Sequence, residues 1–389
     1  MKLRTINQRK IFFKKRVLVR VDFNVPLKSG RVIDDFKIRK SLHTIKYLLT
    51  RGAQVILISH LGRPSGVDKK LSLKPVASAL EKIIGKKVNF CDLMEKEKIG
   101  DAPITLLENI RFVKGEEENT RAVAKQLASL ADVFVLDGFA VAHRNSASVT
   151  GVAKFLPTYA GLLLADEIAG LTRIISQPKK PLVIVLGGVK MDTKIPVLKN
   201  LLPKASHILV GGGIANTYWW ASGRSVGASL IDKKYKKEAL LYGNNDKVVL
   251  PVDVVVGQTN GRDAQTVDVN LNFKLKNSKL SILDIGPRTV QLFARYLKKA
   301  NTIVWNGALG YFEQPPYQHG TYALARLIAG RAKGKAFGVC GGGETVEILQ
   351  KLDLLNDIDL VSTGGGAMLE FLSGKNLPGI QVVKKFSIF

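Results

Sequence analysis

Cysteine is nearly missing from this chain: two residues, Cys91 and Cys340, among 389. They lie far apart and show no metal-ligand spacing, so the sequence carries no disulfide framework and a reduced, cytoplasmic compartment is expected. Long apolar runs are missing as well. No stretch approaches a membrane span, and residues 1–16 are basic without the apolar segment that a secretory signal needs. Acid is scarce: 32 Asp and Glu stand against 59 Lys and Arg, a net charge of +27. Such a surface attracts anions, from phosphorylated metabolites to nucleic acid. The lysines are mostly scattered pairs, densest at Lys233, Lys234, Lys236 and Lys237, with no basic tail and no nucleic-acid-binding module. The excess therefore reads as a solvated surface bias, and neither a specific nucleic acid nor a membrane is expected as partner. Also absent are the G-x-x-x-x-G-K-[ST] loop, the G-x-G-x-x-G fingerprint and a protein-kinase catalytic loop.

What is present is alternation. Short Val/Ile/Leu runs at 17–21, 54–59, 88–91, 104–107 and 133–136 are strand candidates, followed by 182–186, 207–210, 247–250, 302–305, 336–340 and 359–362. Helices are predicted over 42–50, 74–84, 120–130, 194–202, 289–298 and 321–329. Near-continuous apolar strands suit sheets buried on both faces, so the chain reads as α/β with two parallel sheets. Its length exceeds what one core supports, which predicts two domains. The boundary is expected near Pro157. An amphipathic helix is predicted from 158 to 177, entered through Tyr159-Ala160-Gly161-Leu162 and broken by Pro178 and Pro181. It reads as a bridge between domains, although an ordinary crossover helix has the same pattern.

Three glycine triplets in the second half share one setting. Gly211–Gly213, Gly341–Gly343 and Gly364–Gly366 each follow an apolar run and precede a helical pattern. That order exposes backbone N–H groups at the positive end of a helix, where an anion can approach closely. One such turn could simply be a short connection; three are not explained by turn chemistry. Lys190 and Lys194, four apart at a predicted helix start, would share a face and neutralise a polyphosphate, and Glu344 could hold a Mg²⁺ bridging phosphates. In the first half, polar residues follow the strand candidates: Asp22 and Asn24, then His60 and Arg63, then Arg111, then His143 and Arg144. Parallel strands end on one edge, so these side chains are predicted to converge into a pocket for a small, highly charged anion. One half for an anion and the other for a nucleotide describe a phosphotransferase that closes to exclude water.

The residues resemble the phosphoglycerate kinase family over nearly the whole chain: RVDFNVP at 20–26, SHLGRP at 59–64, LLENIRF at 106–112, AHR at 142–144, LPVDVVV at 250–256, LDIGP at 283–287, WNG at 305–307 and STGGGAMLEFL at 362–372. The resemblance implies two Rossmann-like domains with parallel sheets, joined by an interdomain helix, with the C-terminal tail returning to the N-terminal domain. The implied boundaries are 1–157 plus 373–389, then the helix at 158–177, then 178–372. It implies reversible phosphoryl transfer between 1,3-bisphosphoglycerate and Mg-ADP, giving 3-phosphoglycerate and Mg-ATP, by a monomer. By position, Asp22, Asn24, Lys37, His60, Arg63, Arg111 and Arg144 would bind phosphoglycerate. Lys190 and Lys194 would meet nucleotide phosphates. Gly212, Gly213, Leu230, Asn306, Ala308 and Glu313 would line the adenosine pocket, and Gly342, Gly343, Glu344 and Thr345 the phosphate and Mg²⁺ end. Lys37, Lys194, Gly343 and Gly366 would act on the transferring group. The nucleophile is a carboxylate already ionised at neutral pH, so no general base is needed.

Some family positions are altered at the implied site. Lys37 stands for an arginine, which keeps the charge but loses the planar fork. Glu344 stands for an aspartate, Thr193 for an aspartate, Ser146 for a histidine and Ala308 for a proline. A working but divergent enzyme and a degenerate paralogue that binds ligand without useful turnover both fit these changes. A basic nucleic-acid-binding protein is the third class.

Overall fold

In the computed structural model, residues 1–8, 12–92, 99–270, 273–275 and 279–385 are described. They form two compact units: Met1–Ala169 with the stretch from Asn376 onward, and Gly170–Lys375.

The first unit is built on strands β1 (Arg16–Arg20), β4 (Gln54–Ile58), β5 (Asn89–Cys91), β6 (Ile104–Leu107), β7 (Val133–Leu136) and β8 (Thr158–Ala160), with a small hairpin of β2 (Leu27–Lys28) and β3 (Arg31–Val32) after the first. The six-stranded sheet has the order β5-β6-β4-β1-β7-β8, and every neighbouring pair is parallel. Val17, Val19, Val55, Leu57, Val133 and Val135 are buried in one core with Ile38, Ile45 and Leu48. Burial of both sheet faces is why these strands read as unbroken apolar runs. The helices are α1 (Phe36–Leu49), α2 (Lys74–Ile84), α3 (Arg121–Ala128) and α4 (Leu162–Ser176).

Two helix starts differ from the sequence reading. Helix α1 begins six residues before position 42, because the Asp34 carboxylate accepts the Phe36 amide at 2.9 Å and starts the first turn. Residues 158–160, predicted to open the connecting helix, form β8 instead and pair with Phe134–Leu136. Helix α4 starts at Leu162, where Thr44 Oγ1 accepts the Leu162 amide at 2.9 Å and Asp137 Oδ1 accepts the Leu164 amide at 3.3 Å. These two side chains, far off in sequence, cap the helix in place of a local residue. Gly161 is needed between strand and helix: a Cβ there would lie 2.0 Å from Asp137 Oδ1. The division between the units falls inside α4, after Ala169.

The second unit repeats the theme. Strands β9 (Leu182–Leu186), β10 (His207–Val210), β11 (Val248–Val249), β15 (Thr302–Asn306), β16 (Phe337–Gly341) and β17 (Leu360–Ser362) form a sheet of order β11-β10-β9-β15-β16-β17, parallel throughout. Its helices are α5 (Ile195–Leu201), α6 (Gly212–Ala221), α7 (Lys236–Gly243), α8 (Pro287–Lys299), α9 (His319–Ala332), α10 (Gly343–Lys351) and α11 (Gly365–Leu372). A three-stranded antiparallel sheet, β12 (Asp253–Gly257), β13 (Gln265–Asp268) and β14 (Ser281–Ile285), adds to the two parallel sheets that were expected. A final helix, α12 (Pro378–Gln381), belongs to the first unit, where the Gly379 amide donates to Ala142 O at 2.8 Å. Beyond it Leu3 bridges Lys384, and the Arg4 amide donates to Val383 O at 2.8 Å.

Candidate functional site

The carboxyl ends of the first unit's strands carry most of its reactive side chains. Asp22 follows β1, His60 and Arg63 follow β4, and Arg111 lies in the short 3-10 turn Ile110–Phe112 after β6. Arg144 follows β7, and Lys37 is the second residue of α1. Lys37 Nζ donates to Asp22 Oδ2 at 2.7 Å, within an ion pair whose carboxylate is buried. Burial alone would raise the Asp22 carboxyl pKa, but the Lys37 charge and hydrogen bond hold it below the usual value. Burial holds His60 well below the ordinary histidine range, and the nearby Arg20 charge adds to this, so its imidazole is neutral.

The arginines do gather. Arg111 sits below its ordinary pKa first through burial, then through the charge of Arg144, with Arg63 acting the same way. The Glu117 carboxylate bridges two of them, 3.1 Å from Arg111 and 3.4 Å from Arg144. Arg111 also donates to Gly62 O, and the exposed Asn24 accepts the Gly62 amide at 2.9 Å, tying the loop after β4 to the loop after β1. A cluster of Lys37 and three guanidiniums, with the buried Asp22 and the exposed Glu117 as internal counter-charges, keeps a net positive charge and suits a small polyanion.

Beside it is a buried support that the sequence reading missed. Arg20, 2% exposed, donates through Nε to Ser148 Oγ at 2.9 Å and lies 3.3 Å from His60 Nδ1. Burial lowers its pKa to about 10. The Glu116 carboxylate accepts from Ser146 Oγ at 2.8 Å, Ser148 N at 2.9 Å and Ser148 Oγ at 2.5 Å. Ser146 thus serves Glu116. The available signal was a charge inside the otherwise apolar run 17–21, between Val19 and Val21.

In the second unit all three glycine triplets lead from strand to helix: β10 into α6, β16 into α10 and β17 into α11. They converge. Gly212 stands at φ +59°, where an added Cβ would lie 3.2 Å from both Ala308 O and Gly188 N. Gly342 stands at φ +101° against Asn306, and a Cβ on Gly365 would lie 3.7 Å from Gly342 Cα. Gly343 and Gly366 differ: a Cβ on either meets no protein atom within 4 Å. Their freedom from side chains is not required by the protein's own packing. It leaves two helix starts bare.

Lys194 Nζ donates to Asn306 Oδ1, whose amide in turn donates to Gly341 O at 2.6 Å. Burial lowers the Lys194 pKa to about 8, against the raising effect of Glu344 and Asp192. Helix α5 begins only at Ile195, so the shared helical face expected of Lys190 and Lys194 does not form; Lys190 is exposed in the preceding loop. Thr345 Oγ1 accepts the Gly307 amide at 2.8 Å, and Glu344 Oε2 accepts the Ala308 amide at 3.2 Å. Next to this web lies a cavity of about 440 Å³. Gly212, Gly213, Leu230, Ala308 and Glu313, expected at the adenosine, line it, joined by Glu344, expected at the phosphate end, and by Gly188, Val189, Asn216, Tyr311 and Phe312, which the sequence reading did not include. Asn306, also expected in that wall, is not in the lining and instead accepts from Lys194. Its walls are mostly apolar, with Glu313 and Glu344 as acids, a lining that fits a flat base and a polar sugar. Among the described residues no three His, Cys, Asp or Glu side chains converge into a metal-ligand set. Glu344 is a single exposed carboxylate at a bare helix start, which fits a Mg²⁺ held mainly by phosphate oxygens. No helix among the described residues is long and apolar enough to cross a membrane.

Comparison with known proteins agrees with this geometry. The family model described as phosphoglycerate kinase matches residues 8–375. A phosphoglycerate kinase of Francisella tularensis subsp. holarctica is 44% identical over 96% of this chain and 96% of its own length. One from Moorella thermoacetica is 46% identical over 94% of this chain and 95% of its own. The solved phosphoglycerate kinase of Coxiella burnetii superposes with a TM-score of 0.85 at 40% identity, covering 98% of both chains. That of Pyrococcus horikoshii OT3 gives the same TM-score at 30% identity. With its two parallel-sheet units, its arginine cluster and its glycine-led helix starts, this chain belongs to the phosphoglycerate kinase family of glycolytic phosphotransferases.

Proposed function

We propose that the chain moves a phosphoryl group reversibly between 1,3-bisphosphoglycerate and Mg-ADP, giving 3-phosphoglycerate and Mg-ATP. The observation that carries this is the pair of bare helix starts at Gly343 and Gly366, beside the buried ammonium of Lys194 and a cavity fit for a nucleoside. Phosphoglycerate binds in the first unit, its phosphate on Arg63, Arg111 and Arg144, and its polar groups on Asp22, Asn24 and His60. Lys37 neutralises charge on the transferring group. The adenosine occupies the cavity, with Glu313 at the ribose; Lys190 and Lys194 contact the phosphate chain, Lys194 on the migrating group. Amides at Gly342, Gly343 and Gly366 stabilise the oxygens of that group, and Thr345 fixes the loop that carries Gly307. Glu344 would hold the Mg²⁺, which when bound supplies charge neutralisation to the nucleotide phosphates.

The attacking carboxylate needs no base, so positioning and fixed positive charge do the catalysis. Direct transfer requires the two ligands to meet, so domain closure is part of the proposal. A coupled assay with 3-phosphoglycerate and Mg-ATP tests it. Turnover is the expected result. Binding of both ligands with turnover at background would establish the impaired paralogue instead, and binding of neither would overturn the assignment.

A further inference from the structure

The carboxyl edge of the first sheet carries a second cavity, which the proposed reaction does not use. It has a volume of about 1020 Å³ and lies at the ends of β5 and β6, between α2 and α3. Ligands of open α/β sheets bind outside the carboxyl ends of strands, so the location is a favoured one. Lys69, Lys74 and Lys114 line it, and Phe112 and Val113 contribute an apolar wall. Among the described residues none of the three lysines forms an ion pair. Two carboxylates also line the cavity, Asp92 and Glu108. Glu108 is already saturated: it accepts from Ser72 Oγ at 2.6 Å, Leu73 N at 2.8 Å and Asn109 N at 2.7 Å. Among the described residues the three lysines thus have no ion-pair partner, and Glu108 is held by its own donors. The segment from Glu108 to Lys114 serves both places, since Arg111 turns to the arginine cluster while Phe112 and Lys114 turn to this cavity.

We propose that this cavity is a binding site for an organic anion with a flat apolar body, the body resting on Phe112 and Val113 and the anionic group on Lys69, Lys74 and Lys114. Charge complementarity selects the head group and the apolar wall selects the body. The volume lies at the upper end for small-molecule sites.

The test uses the aromatic sulfonate 8-anilinonaphthalene-1-sulfonate as probe, followed by fluorescence on the full chain with saturating Mg-ADP present. A probe population that survives Mg-ADP is expected. In Lys74→Glu/Lys114→Glu its affinity should fall about tenfold or more, since two exposed cationic contacts are both reversed in sign. The control Lys233→Glu/Lys237→Glu makes the same change of net charge in the other unit and should leave that population unmoved. Both variants alter exposed lysines, and unchanged circular dichroism verifies their folding. Absence of the surviving population, or its equal loss in both double variants, overturns the site. Neither result bears on phosphoryl transfer, which the coupled assay reads separately.

Discussion

At the scale of single residues, charge state decides what the sites can do. Lys194 must be protonated to neutralise phosphate, and its pKa is lowered to about 8. It therefore carries its charge below that pH and loses it above, so kcat/KM is expected to fall as pH rises past about 8. Lys194→Arg should carry the plateau to higher pH, because arginine stays charged. A pH–rate profile checks this; an alkaline limb that stays put in the variant would assign it to another group. Lys37 holds a cation on Asp22 but lacks the fork of arginine. Lys37→Arg should raise kcat, whereas Lys37→Ala should lower it by as much as ~10²–10³-fold. If the arginine variant shows no gain in the coupled assay, Lys37 is not the limiting departure. Glu117 occupies Arg111 and Arg144, the groups assigned to the substrate phosphate. A ligand has to displace it, so Glu117→Gln should lower the KM for 3-phosphoglycerate roughly two- to fivefold, the worth of one exposed contact. A KM that stays unchanged or rises would count against the displacement.

At the scale of elements, the glycine turns separate fold from function. Gly342 adopts φ +101°, so Gly342→Ala should lower the melting temperature. Gly343 has open space and begins a helix, so Gly343→Ala should leave stability level or slightly raised while weakening ADP binding about tenfold or more. Thermal melts and nucleotide titrations on the two variants check this, and an alanine at 343 that binds ADP normally would remove the proposed role of that helix start. These turns were legible in the sequence because each sits between a strand buried on both faces and a helix, where composition changes abruptly. The antiparallel β12–β14 sheet was not, since its third member, Gln265–Asp268, is largely exposed and has almost no apolar signature. Residues 158–160 were misread for a related reason: Tyr159 and Ala160 suit a helix as well as a strand, and only pairing with β7 decides between them. The arginines were found by their place after strands. Arg20 and its partners Ser148 and Glu116 escaped, because they come together only through folding.

For the whole molecule, each unit hides a carboxyl whose burial couples its stability to pH. Burial pushes Asp137 in the first unit and Asp284 in the second up to about 8 from the usual 3.8. Between those values the folded chain holds protons that the unfolded chain has released. Stability from these groups is thus greatest on the acid side and declines as pH rises toward 8, by up to about 1.4 kcal/mol per pH unit for each carboxyl. Melting temperatures measured from pH 5 to 8 should fall in the parent and flatten in Asp137→Asn/Asp284→Asn. An unchanged slope would show that other groups set the pH dependence. The attachment of the last segment to the first unit has a temporal meaning. During vectorial synthesis at ~5–20 residues per second every residue of the second unit is made before Ile380 and Val383, both buried in the first. The lobe that starts first is thus completed last, and a nascent chain halted near Gly374 would expose the surface those residues cover.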